Sequence, residues 1–281
     1  MKTIGENKMQ YIRPAQVAGY FYPSDPVKLK NEINILLDKS KPKDKYDNIF
    51  GIVSPHAGYV YSGKTAAFAY NQLRGKNYKR VIIISPSHSE YFPGVSVFEG
   101  DAYETPLGLL EVDKDFIEKL VNGNKIIFRG FEGHRKEHAL EVQLPFLQSV
   151  LNNFKIVPIV MGDQRKMFVD ELANVLAKVV DDETLIVASS DMSHFHSREE
   201  ANLLDSVVEE RIRQFDFESL QKDLDRHNCE ACGGGPIAAL MKAASIKNYN
   251  HSNVLHRSDS GDVSGDKSEV VGYLSAVVYG D

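Results

Sequence analysis

Cysteine is scarce in this chain: two residues in 281, Cys229 and Cys232, three positions apart. That excludes a disulfide framework and leaves the thiols to site chemistry or to plain packing. Long apolar runs are missing too. Val81-Ile82-Ile83-Ile84 is typical of the longest aliphatic stretches, whereas a membrane-spanning helix needs roughly 20 apolar residues. Positive charge is in deficit, with 33 lysines and arginines against 39 aspartates and glutamates and a net charge of −6. Nucleic acid is therefore not an expected partner, because its phosphates demand a clustered basic face. The nearest approach to such a cluster, Lys39 to Lys45, is interrupted by Pro42 and Asp44 and reads as solvated linker. Met1 to Gln10 is polar and mixed in charge, without a secretory apolar stretch or the Arg-rich bias of a transit peptide, so the expected address is the cytoplasm.

What remains is an ordinary globular composition, 42% hydrophobic and 26% charged, enough for one large core or two smaller ones. Ser24-Asp25-Pro26 supplies a cap and a first-turn proline for a helix to Asp38. Ile49 to Val53 then reads as a strand, its loop as Ser54-Pro55-His56-Ala57-Gly58, and Ser62 to Leu73 as a helix. Val81 to Ile84 is a second buried strand, ending in Ser85-Pro86-Ser87-His88. Gly94 to Val112, with its Pro106-Leu107-Gly108 turn, predicts an antiparallel excursion. Helices follow at Asp113 to Val121 and, from Leu140, Leu144, Leu147 and Leu151, at Glu137 to Leu151. Lys155 to Met161 is a strand, Met167 to Val180 a helix, and Thr184 to Ala188 a strand whose terminal loop holds Asp191 and His194. Helices at Ser197 to Phe215, Phe217 to Leu224 and Pro236 to Ser245 precede closing strands at Asn253 to His256 and Val270 to Tyr279. Strands alternating with helices, with no long linker, predict one α/β domain over residues 1–281, helices on both faces of a mixed sheet.

Nine histidines are the informative residues. His56, His88 and His194 all follow predicted strands, and a parallel sheet brings its strand ends onto one rim, where open α/β sheets hold ligands. Neutral imidazoles fixed there suit a metal. Cys232 precedes Gly233-Gly234-Gly235-Pro236, a turn opening a helix, which biases a thiol toward thiolate as a ligand or nucleophile. The alternative is a small buried residue. His138 and Glu141 share a face of the predicted Glu137 to Leu151 helix and can orient ligands or serve in acid–base chemistry, unless they are a surface pair. Asp191 either orients an imidazole or caps its own loop; Tyr59 and Tyr61 flank the first histidine loop as pocket candidates. Asp259, Asp262 and Asp266 miss the spacing of a calcium loop.

The segments His56 to Gly63 (HAGYVYSG), Ser85 to His88 (SPSH), Glu137 to Leu147 (EHALEVQLPFL), Ser189 to His194 (SSDMSH), Cys232 to Ile237 (CGGGPI) and Ser260 to Asp266 (SGDVSGD) resemble the signature segments of the Memo family, in the family's order. The resemblance implies a single three-layer αβα domain with a mixed, largely parallel sheet, like that of the LigB-type extradiol dioxygenases. It implies iron or copper held by His56, His88 and Cys232, with His194 near an acid–base position. A thiolate in place of the dioxygenases' third ligand, a carboxylate, departs from their pattern, so ring cleavage does not carry over. Three functions stay in play: a metal-dependent redox enzyme, a module binding a peptide or other small ligand in the old pocket, and a zinc-dependent hydrolase.

Overall fold

A computed structural model describes residues 11–281; Met1 to Gln10 lie outside them. The centre of the molecule is a run of four parallel strands. In chain order the strands include β1 (Ile12–Arg13), β2 (Ile49–Ser54), β3 (Arg80–Pro86), β4 (Val95–Phe98), β5 (Ala102–Thr105), β6 (Gly108–Glu111) and β7 (Ile127–Gly130). They continue with β8 (Lys155–Met161), β9 (Thr184–Ser189), β10 (His194–His196), β11 (His251–Asp259) and β12 (Val270–Tyr279). The main sheet runs β10-β12-β2-β9-β3-β8-β4-β7, with β11 also paired to β12. β2, β9, β3 and β8 are mutually parallel, while β12 joins β2 and β4 joins β8 antiparallel. The sheet is thus mixed with a parallel centre, and a separate small sheet orders β1-β5-β6.

Ile52, Val53, Ile82, Ile83, Ile84, Ile186 and Val187 are fully buried, as a sheet covered on both faces requires. The helices supply the cover. α1 (Pro26–Lys39), α2 (Tyr59–Gln72) and α4 (Gln143–Val150) pack together in one layer, and α5 (Lys166–Val179), α7 (Phe217–Asp225) and α8 (Gly234–Ile246) in another. α3 (Lys114–Val121), α6 (Arg198–Arg213) and the short α9 (Gly261–Ser264) complete the set. Asp25 caps α1 through the Lys28 amide, and Ser197 with Glu200 forms a capping box on α6, each satisfying amides the helix leaves open.

Three expectations change. The helix foreseen from Glu137 begins only at Gln143, because the Glu137 carboxylate accepts from the His138 and Ala139 amides and holds them in a turn instead. Pro145 therefore sits in the first turn of α4, where a missing N–H costs nothing. His194 lies in β10 rather than in a loop. The strand β7 had no counterpart in the sequence reading.

Candidate metal centre

Register decides where the site forms. Ser54 pairs with Ser189, and Ile84 with Ala188, so the carboxyl ends of β2, β9 and β3 finish level. His56 and His88 each come two residues past a strand end, and the turn before α4 brings His138 against them. One ring nitrogen from each of His56, His88 and His138 lies within 4.8 Å of the others. The His88 and His138 rings stack with centroids 4.7 Å apart, and His56 stands edge-on to both.

Hydrogen bonds behind the His56 and His88 rings fix their tautomers. Ser189 Oγ donates to the Ala139 carbonyl and accepts from Gln143 Nε2, so toward His56 Nδ1, 2.9 Å away, it accepts. His56 thus carries its proton on Nδ1 and presents the Nε2 lone pair. His88 Nδ1 donates to Glu137 Oε1 at 2.9 Å while its backbone N–H donates to Oε2 at 2.7 Å. His138 Nδ1 is 3.4 Å from the same Oε1. Acceptors behind neutral imidazoles, orienting the opposite nitrogens, are the usual support of metal-ligating histidine. Metal–nitrogen bonds of about 2.1 Å keep two ligand nitrogens at most about 4.2 Å apart. The rings thus need only a small inward movement to close on an ion, and the donor set fits a first-row transition metal.

Electrostatics favour neutral rings at His56, His138 and His194. Burial, with the neighbouring imidazoles, drives the His56 pKa well below its ordinary value; burial also lowers His138 and His194. His88 goes the other way: burial opposes the rise, but the hydrogen bond and charge of Glu137 outweigh it.

Cys232 Sγ lies 3.2 Å from His56 Nε2. With that nitrogen an acceptor, the thiol donates to it. The sequence expectation of a thiolate is reversed, since burial and the nearby Asp191 charge raise the thiol pKa more than the hydrogen bonds from the Asp191 amide and Ser190 lower it. Gln164 pins the turn, donating to the Cys232 carbonyl and accepting from the Gly235 amide. Asp191 Oδ1 accepts from the His56 amide at 2.7 Å, and burial lifts its carboxyl pKa to about 7.

Two clefts lie beside the cluster. A cleft of about 520 Å³ on the α8 side is lined by residues including Cys232 and His194. One of about 610 Å³ runs past His138, Asp191 and His194 toward α1 and the start of α2. His194 is common to both. The backbone sets its place: the β10–β12 register shifts between His194 and His196, and the intervening Phe195 adopts φ 61°, a strained kink of the kind found where a strand must re-aim a side chain.

Of the residues singled out in the sequence, His56, His88, His138 and Cys232 come together, with Asp191 and His194 beside them. Glu141 does not join them. Its carboxylate is spent on Arg13, Tyr22 and the Gln16 and Val17 amides, because the turn at Glu137 destroys the shared helix face. Tyr59 is also withdrawn: it is buried in the core, its hydroxyl donating to the Val142 carbonyl, and Tyr61 lines the cleft instead. Glu137 and Ser189 were missed; a carboxylate directly preceding a histidine was the available signal for the first. Arg13, considered in the sequence only as a cationic donor near the pocket, has a structural part. It is buried and clamps the histidine-bearing turn through the His134 and Glu137 carbonyls and the Glu141 carboxylate.

A family model described as Memo-like protein matches residues 13–277. A MEMO1 family protein of Methanobrevibacter smithii is 37% identical over 279 residues, covering 95% of this chain and 99% of its own. One from Saccharolobus solfataricus is 40% identical, covering 92% and 96%. The crystal structure of an uncharacterised protein from Escherichia coli K12 superposes with a TM-score of 0.51, covering 81% of this chain and 98% of its own at 11% identity, a likeness of fold.

Proposed function

The chain belongs to the family of Memo-like proteins, and on that premise we propose that it is a metal-dependent redox enzyme. In this reading His56, His88 and His138 hold a single iron or copper ion, with the Cys232 thiol as a further ligand. The observation that carries it is the orientation of the three rings: each has its Nδ1 side turned to Ser189 or Glu137, leaving the opposite nitrogens for one ion. Bound iron or copper supplies one-electron chemistry. The protein supplies the rest: Ser189 and Glu137 lock the His56 and His88 rings, Asp191 holds the His56 amide, and neutral His194, on the wall of both clefts, takes a proton from a bound substrate. Cys232 must give up its proton to ligate.

The test is spectroscopic. Protein loaded with Cu(II) or Fe(III) should show a sulfur-to-metal charge-transfer band that disappears in Cys232→Ser, and the metal should cycle reversibly between oxidation states. A loaded protein without that band, or whose metal cannot be reduced, contradicts the reading. Zinc-dependent hydrolysis is the second reading, favoured by the three-imidazole set, which suits zinc and an activated water. Ester hydrolysis that requires zinc, persists without oxygen and is lost in His56→Ala would establish it.

A further inference from the structure

The cleft of about 610 Å³ leading from the histidines is of a size that takes a small organic molecule. Its walls have one chemical character. Tyr20, Phe21, Tyr61 and Tyr273 supply aromatic surface, Glu32 and Asp191 supply carboxylates, and no lysine or arginine is among the described residues lining it. Glu32, on α1, makes no ion pair or hydrogen bond among the described residues. We propose that this cleft binds an organic cation, an amine carried on an aromatic or apolar body, with its ammonium at Glu32 and its other end at the histidine cluster.

The reasons are electrostatic and geometric. A half-buried carboxylate without a counter-ion is a standing cost, and burial already shifts the Glu32 pKa upward. A ligand ammonium relieves that cost, and aromatic faces attract the same cation. An anionic ligand such as a phosphorylated peptide finds no guanidinium or ammonium on these walls. His138 and His194 line the cleft where it meets the histidine cluster. A metal on the imidazoles adds positive charge at that end only, so the ligand must be two-ended: an oxygen or similar donor toward the metal, the cation toward α1. This assignment of substrate class rests on the metal-centre reading for the donor end, whereas the cation end depends on the cleft alone.

The experiment compares three probes of one shape, tyramine, 4-ethylphenol and 3-(4-hydroxyphenyl)propionate, by NMR titration of the full chain with and without bound metal. Tyramine should bind about tenfold more tightly than 4-ethylphenol, and the acid more weakly than either. Glu32→Gln, checked for native circular dichroism, should bring tyramine to within about twofold of 4-ethylphenol, the loss expected when one charge-assisted contact is removed. The proposal is overturned if the acid binds as well as tyramine, if Glu32→Gln leaves the ranking unchanged, or if no probe shifts resonances of the cleft. Failure of the metal reading looks different: the ranking persists in metal-free protein while no metal loads.

Discussion

Glu137→Gln is the most informative single substitution. The wild-type carboxylate accepts four hydrogen bonds: Oε1 from His88 Nδ1 and the His138 and Ala139 amides, Oε2 from the His88 amide. A glutamine has one oxygen. Placed toward the three donors, it leaves its amide group facing the His88 N–H, donor against donor, in a buried position. Reversed, it abandons three bonds. The cheaper arrangement still leaves a buried donor unsatisfied, at about 1–3 kcal/mol, and weakens the anchor of His88 by removing the charge that receives its Nδ1 proton. Melting should fall by roughly 2–4 °C for each kcal/mol lost. Metal affinity, measured by competition with a chromogenic chelator, should fall about 10- to 100-fold, the usual cost of losing a carboxylate behind a ligating histidine. A Glu137→Gln protein with native circular dichroism that competes for metal as well as wild type would refute the claim that this carboxylate aims the ring.

Glu141→Gln should act mainly on stability, since it breaks the buried pair with Arg13; a loss of about 3–5 kcal/mol is expected by urea unfolding, and an unchanged midpoint would refute the clamp. Metal affinity should weaken as pH falls, because both His88, whose pKa is raised, and Cys232, whose thiol is protonated in the free chain, must lose a proton to ligate. Calorimetry in buffers of different ionisation enthalpy should therefore record proton release, reduced in Cys232→Ser; no release would remove the thiol from the ligand set. Gly233→Ala should destabilise the chain or displace Cys232, since a Cβ there would lie 2.1 Å from the Ser189 carbonyl oxygen, and backbone cannot yield; a fully native melting curve would contradict this.

The strand-end histidines were legible because a repeated local pattern, apolar run then Ser-Pro and histidine, encodes a parallel sheet edge. Their partners were not, since Glu137, Ser189 and Arg13 reach the site through tertiary register. The leucine spacing of residues 140–151 suggested a helix from Glu137, but a side chain that captures the next two amides overrides periodicity. Pro145 was the corrective signal, because proline fits the first turn of a helix better than its middle. The same misreading put Glu141 beside His138, whereas Tyr59 passed for a pocket residue because it flanks the first histidine loop; each is settled by a buried partner, Arg13 and the Val142 carbonyl, that no spacing rule reveals. Among the described residues no helix is long and apolar enough to cross a membrane, in line with the short aliphatic runs.

The central claim is that His56, His88 and His138 hold one redox metal. Elemental analysis of untagged chain purified without oxygen tests it most directly, alongside alanine variants of the three histidines. The account predicts stoichiometric iron or copper in the wild-type protein and its loss in each variant that remains folded. A wild-type protein that retains neither metal, or folded variants that retain it undiminished, would contradict the account.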